Sequence, residues 1–423
     1  MVFEVGLDMA KFQRSQIRYF LNNYSLYFLP LVFSIALAFE TYQFDFRTSY
    51  VAGKAVLYHL DPYINHVSNF PEFYSPVNAG VQASSGLRYP PLAAILYAPF
   101  AFFPYEVAKI IFTVVILLFF GLICFELVKN NRFSLKGEAI LFAACSFPII
   151  ASVERGQIDL VVLYLTLLSF FCQQKGQSFR AAFCLALAAN IKIIPLGVLI
   201  YYGLRKQFSF IAQALVSTAI LFLLPLPLFG LSVYRHFLSR IFPGIFAEIT
   251  SPTPINLHGQ RIFKNIVESV DSPNLRLGHD FVHGFMNPLL KNSSSGAILC
   301  GLILTILFFI AAWKSDKSYQ FFGFINTLNL FNPKAWIMGL VWHLPLCFYL
   351  YNQVNNRGKF LLLLPLFLPP FLNASAILAY VVSIIFALTP RIPLLSRWFL
   401  RDAHARSYER ESSKRGLSQP LAE

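Results

Sequence analysis

The chain has 423 residues, of which 57% are hydrophobic, 17% aromatic and only 13% charged, a composition that excludes an ordinary soluble domain of this length. Its formal net charge is +14, but the lysines and arginines fall in short clusters between apolar segments, not along one basic face. That pattern argues against a nucleic-acid partner and for a protein oriented in a membrane.

In chain order, Lys11, Arg14 and Arg18 precede an apolar stretch at 24–44 with no small-residue cleavage site after it. Residues 1–23 are therefore expected in the cytoplasm, and the stretch is expected to stay as an anchor. Residues 45–91, rich in Pro and Tyr, read as an outer loop. Long apolar runs recur at 107–128, 208–231 and 296–313, each near the roughly 20 residues that a crossing needs. The shorter run 92–103, opened by Pro90-Pro91 and stopped by Pro104, reads as an interfacial or re-entrant helix. Two hairpins follow, each with basic residues on both outer sides. Runs 139–153 and 158–173 flank Glu154-Arg155-Gly156-Gln157, and runs 181–191 and 195–204 flank a break at Asn190, Lys192 and Pro195. Their arms are short, and broken helices are tolerated at membrane depth only where protein or a water-filled cavity satisfies the backbone, so they mark a site. Residues 232–295 read as the second outer segment. Another pair, 319–331 and 335–351, surrounds Asn332-Pro333-Lys334, the last apolar block is 360–388, and residues 389–423 read as a basic, disordered cytoplasmic tail. The six cysteines (Cys124, Cys145, Cys172, Cys184, Cys300 and Cys347) all lie in apolar segments and read as packing residues. The expected fold is all-α, a polytopic transmembrane bundle spanning residues 24–388 in the cell membrane.

No carboxylate stands in the middle of an apolar span, so ion-coupled transport is less favoured than chemistry at the outer surface. There Asp45-Phe46-Arg47-Thr48-Ser49-Tyr50 follows the first span directly, with Asp61-Pro62-Tyr63 beyond it. A carboxylate at this boundary can take the proton of an attacking hydroxyl. It can equally cap a helix or pair with Arg47. Lys192 sits at a helix break where a lone ammonium is costly, so it either snorkels to the nearest interface or meets an anion: a phosphate oxygen, or the carboxylate of Glu154 or Asp159. Arg155 and Gln157 at the neighbouring apex, and Arg88 and Tyr89 before Pro90, are candidates to line the same cavity.

Four stretches in register, DFRTSYVAGKAVLYHLDPY (45–63), RYPPLAAILYAPFAFFP (88–104), ERGQIDLVVLYLTLL (154–168) and LALAANIKIIPLGVLIYYGLRK (185–206), resemble glycosyltransferase family 87, the polyprenol-phosphate-mannose-dependent mannosyltransferases of the GT-C class. The resemblance implies a GT-C-like bundle and an inverting transfer that needs neither metal nor cofactor. It implies a polyprenyl-phosphate sugar as donor, a glycolipid or glycan as acceptor, and membrane lipid around both. By that resemblance Asp45 is the catalytic base, with Asp61 of the DPY element as the second candidate; Arg47, Tyr50, Asp61, Arg88, Tyr89, Arg155, Gln157 and Lys192 are the expected substrate contacts. The second half matches less well. Asn256 stands in a faint version of the family's loop element, and Trp336 lacks the paired histidines that follow it in relatives, leaving His343, a turn further on, either as a substitute or as the satisfied core residue that a lone histidine on an apolar face more often is. His279, Asp280 and His283 form a chance-level metal spacing. A lipid-linked glycan flippase or a catalytically inactive relative are the rival readings; the chain shows no repeated halves, and it keeps Asp45.

Overall fold

The computed structural model describes residues 32–39, 43–64, 66, 87–131, 137–243, 294–328, 337–368 and 375–400. Among them the structure is helical apart from turns and one isolated bridge between Val354 and Leu400. The protein is a polytopic helical membrane protein. One described helix, α3 (Tyr105–Asn131), holds an unbroken apolar stretch long enough to cross a membrane, Tyr105–Lys129.

The segment expected to be an outer loop is in part helical. Residues 32–39 are helical, Gln43 turns the chain through a left-handed conformation (φ 44°, ψ 64°), and α1 (Phe44–Leu57) begins at once. Its buried positions Phe46, Ser49, Tyr50 and Gly53 repeat at helical spacing, and Phe46 stacks on Phe112 of α3 with ring centroids 4.3 Å apart. The Pro-Pro segment forms α2 (Pro91–Tyr97), continued by a 3-10 turn (Ala98–Phe102), and both pack on α1. Gly53 permits that contact, because a Cβ there would stand 2.6 Å from the backbone of Tyr97.

The first hairpin is α4 (Gly137–Ala144) and α5 (Phe147–Arg155), bent by 49° across Cys145-Ser146, and then α6 (Asp159–Gln174). Gly156 ends α5 in the left-handed region (φ 66°), with Gly156 N–H bonded to Val153 O and Gln157 N–H to Ser152 O, a Schellman cap. The second hairpin is α7 (Ser178–Ile191), an extended break at Lys192, a 3-10 turn (Ile194–Gly197) and α8 (Val198–Leu204). Helix α7 lies between α6 and α9 (Phe208–Leu223). The apolar run read as one span at 208–231 is broken: α10 (Leu226–His236) leaves α9 at 98°, because Pro225 and Pro227 end the ladder and Gly230 is non-helical. Beyond these stand α11 (Ser294–Ala312), α12 (Lys317–Thr327), a 3-10 helix (Ile337–His343) running into α13 (Leu344–Leu350), α14 (Asn356–Phe367) and α15 (Ser375–Leu388). Their aromatic side chains share one core with the hairpins; Phe170 of α6 stacks on Phe321 of α12 at 4.0 Å.

The basic tail also departs from its reading as disordered from 389 onward. Residues 393–399 form α16 (Pro393–Phe399), and Asn355 N–H donates to Phe399 O.

Candidate active site

Asp45 stands in the first turn of α1, where the helix dipole favours a carboxylate. It does not cap the helix; Gln43 occupies that position. Its ion-pair partner is Arg155, 110 residues away in the sequence: Arg155 Nε donates to Oδ2 at 2.9 Å and Nη2 to Oδ1 at 3.1 Å. Gln157 Nε2 donates to the same Oδ2 at 2.6 Å. The apex Arg155-Gly156-Gln157 thus grips the carboxylate in a fixed plane. Oδ2 takes two of these bonds and Oδ1 one, and a carboxylate offers about four acceptor sites, so Oδ1 can still accept from a hydroxyl. The Asp45 side chain is 23% exposed against 12% for Arg155, so the acid is the more open partner.

This approach depends on Gly156. A Cβ there would lie 2.4 Å from Phe46 Cβ and 3.0 Å from Gln43 Cβ, so the apex and the start of α1 touch backbone to side chain.

Lys192 lies at the break between α7 and the following 3-10 turn and donates to both oxygens of Asp159, at 2.7 and 2.9 Å. Of the anions the sequence allowed, the structure supplies this carboxylate. The lysine is 18% exposed and the aspartate 2%, so Asp159 is sealed behind an ammonium whose third N–H is uncommitted to it.

Tyr89 ties the two ion pairs into one neighbourhood. Burial raises its phenol above the ordinary range, the charges of Asp45 and Asp159 raise it further, and Arg88 and Arg155 oppose them. The phenol therefore stays neutral and can donate. Arg88 is exposed. Partial burial lowers its pKa, with Tyr89 and Asp45 opposing. Arg47 is half-buried, and the same two effects act on it with Tyr105 as the opposing group.

The other candidates fall elsewhere. Tyr50, expected to contact substrate, is buried, with its hydroxyl on Phe103 O at 2.8 Å and its ring against Phe46 and Tyr105; it fastens α1 to the end of the 3-10 turn. Asp61 pins a turn: Oδ1 accepts from Tyr63 N–H at 2.8 Å, and Oδ2 lies 2.8 Å from Nδ1 of His236 on α10. Tyr63 in turn donates to Tyr89 O at 2.9 Å. His343 cannot replace a cavity histidine in this conformation, because it is fully buried with Nε2 3.1 Å from Leu362 O. Asn256, Trp336 and the trio His279, Asp280 and His283 lie outside the described residues. Gln43, Thr113 and His236 also belong to this neighbourhood without a signal in the sequence. Nothing local marks them, since each acts through a partner 70 or more residues away.

The family profile of glycosyltransferase family 87 matches residues 87–333, more than half of the chain. The chain belongs to glycosyltransferase family 87. It is therefore a membrane glycosyltransferase, with a sugar donor and an acceptor as its partners. The matched region contains Arg88, Tyr89, Arg155, Gln157, Asp159 and Lys192, while Asp45 and Asp61 precede it. No curated protein matches the chain.

Proposed function

We propose that this glycosyltransferase moves a hexose, mannose by the family resemblance, from a polyprenyl phosphosugar to a hydroxyl of a glycolipid or glycan at the outer face of the plasma membrane. The observation that carries the reading is the carboxylate of Asp45, oriented by three hydrogen bonds of which Oδ1 takes only one. In the step we envisage, Oδ1 accepts the acceptor's hydroxyl proton as that oxygen bonds to the anomeric carbon. The bond from that carbon to the phosphate oxygen breaks on the opposite face, and its electron pair leaves with polyprenyl phosphate, inverting the centre. The leaving phosphate gains a negative charge as it departs. We assign the third N–H of Lys192, together with Arg88 and Tyr89, as the donors that meet that developing charge.

The test is single-turnover transfer from a labelled polyprenyl phosphosugar by purified protein, comparing Asp45→Asn with the parent. Asparagine keeps the shape and loses the base, so the rate should fall by about a hundredfold to ten-thousandfold, as general-base catalysis commonly contributes. Near-parental transfer by a folded Asp45→Asn variant would remove Asp45 as the base. Lipid-linked sugar that crosses the bilayer without release of polyprenyl phosphate would instead make the protein a flippase. Sidedness is tested separately by single cysteines at Ser68 and Ser407 in a cysteine-free background. Impermeant maleimide on intact cells should label the first and spare the second, and the reverse pattern would invert the topology.

A further inference from the structure

We infer that Gln43 is a positioning residue for transfer, acting through Asp45; the inference rests on the reading of Asp45 as the base. Gln43 carries two local costs. It is a non-glycine residue in the left-handed region (φ 44°), and its Oε1 is a buried acceptor without a hydrogen-bond partner. Such costs persist only where the surroundings over-determine them, and they gather at functional sites.

What over-determines Gln43 is visible. The residue is 1% exposed, and its Nε2 donates to Thr113 Oγ1 of α3 at 2.7 Å and to Val153 O of α5 at 2.9 Å. Its carbonyl oxygen accepts from Arg47 N–H, the first bond of α1, at 2.9 Å. Thr113 is itself oriented by donating to Lys109 O at 2.9 Å.

The register makes this relevant to chemistry. Gln43 meets Val153, and two residues further along each chain Asp45 meets Arg155. The two contacts are successive rungs between the start of α1 and the end of α5. The left-handed turn sets the direction in which α1 leaves, and the amide sets how far along α5 it docks. Together they deliver the carboxylate to the apex. Buried as it is, Gln43 touches no substrate.

The experiment is a double-mutant cycle in single-turnover transfer at saturating donor, with Gln43→Met, Asp45→Asn and the double variant. Methionine keeps the length and removes both hydrogen bonds. The Gln43→Met rate should fall on the order of a hundredfold, the loss that a displacement near 1 Å can cause, with the donor KM little changed. In the Asp45→Asn background the same substitution should have almost no further effect. Thr113→Val should reproduce part of the loss and Thr113→Ser, which keeps the hydroxyl, should restore it; this pair carries the test if Gln43→Met does not fold. A parental rate in folded Gln43→Met, or the same fold-loss with and without Asp45, would overturn the inference and leave Gln43 a purely structural residue. If Asp45→Asn alone transfers normally, the base reading falls, and this inference with it, whatever position 43 does.

Discussion

Gly156 is the narrowest point between the apex and α1, and replacing it with alanine separates two costs that usually arrive together. The first is backbone conformation: an L-residue in the left-handed region costs about 1–2 kcal/mol relative to glycine. Gly176 ends α6 in the same Schellman geometry (φ 74°) with nothing within 4 Å of its would-be Cβ. Lys206 holds the equivalent place after α8 at φ 57°, so the geometry itself tolerates a side chain. The second cost belongs to Gly156 alone. Its Cβ would sit 2.4 Å from Phe46 Cβ, whereas carbon atoms pack at about 3.5–4.0 Å, so apex and helix must part by about 1 Å. Overpacking of this kind costs about 1–3 kcal/mol. Gly156→Ala should therefore lose about 2–5 kcal/mol and Gly176→Ala about 1–2 kcal/mol. The same displacement would stretch the 2.6–3.1 Å bonds to Asp45 beyond hydrogen-bond range, so Gly156→Ala should also lose on the order of a hundredfold in transfer rate. Gly176→Ala should keep its rate. Thermal unfolding in detergent and single-turnover transfer well below the transition measure the two effects. Equal melting shifts and equal rates for the two variants would refute the close approach of Gly156 to α1.

What could be read from the sequence and what could not differ in a physical way. Hydropathy located α3. The Glu-Arg-Gly-Gln knot and the Lys192 break were legible because polar residues and a glycine interrupt an apolar run only where a turn or a polar cavity offsets their cost. Helix α1 resembles a loop in hydropathy because Asp45, Arg47, Thr48 and Lys54 dilute its apolar content. The signal was in the period: Phe46, Tyr50, Gly53 and Val56 fall on one buried face. The bend between α9 and α10 was signalled by Pro225 and Pro227, but a window average across 208–231 smooths it away. Partnerships were the least legible layer. Asp45 has Arg47 two residues off and instead pairs with Arg155, and His343 is the enclosed core residue that a lone histidine on an apolar face more often is. Contacts across 110 or 175 residues depend on how the helices dock, which no local pattern encodes.

Three further outcomes are expected. Arg155→Lys keeps the charge but loses the fork that holds both oxygens of Asp45, so transfer should fall about tenfold or more through one lost charge-assisted bond. A parental single-turnover rate would show that the fork does not orient the base. Asp61→Asn still accepts from Tyr63 N–H and weakens only the His236 contact, so in the same assay it should lose far less than Asp45→Asn; a comparable loss would move the base to Asp61. Lys192 requires more care, because it has two jobs to separate. Lys192→Met leaves Asp159, 2% exposed, as an uncompensated buried carboxylate, which should destabilise the fold by about 3–5 kcal/mol. Loss of activity in that variant would therefore not distinguish phosphate binding from folding. Adding Asp159→Asn removes the orphaned charge, so the double variant should recover most of the lost melting temperature. If the remaining N–H of Lys192 holds the donor's phosphate, the stable double variant should still show a donor KM raised about tenfold to a hundredfold, the equivalent of a charge-assisted bond of about 1.5–3 kcal/mol. A stable double variant with parental KM and rate would make Lys192 the counter-ion of Asp159 and nothing more.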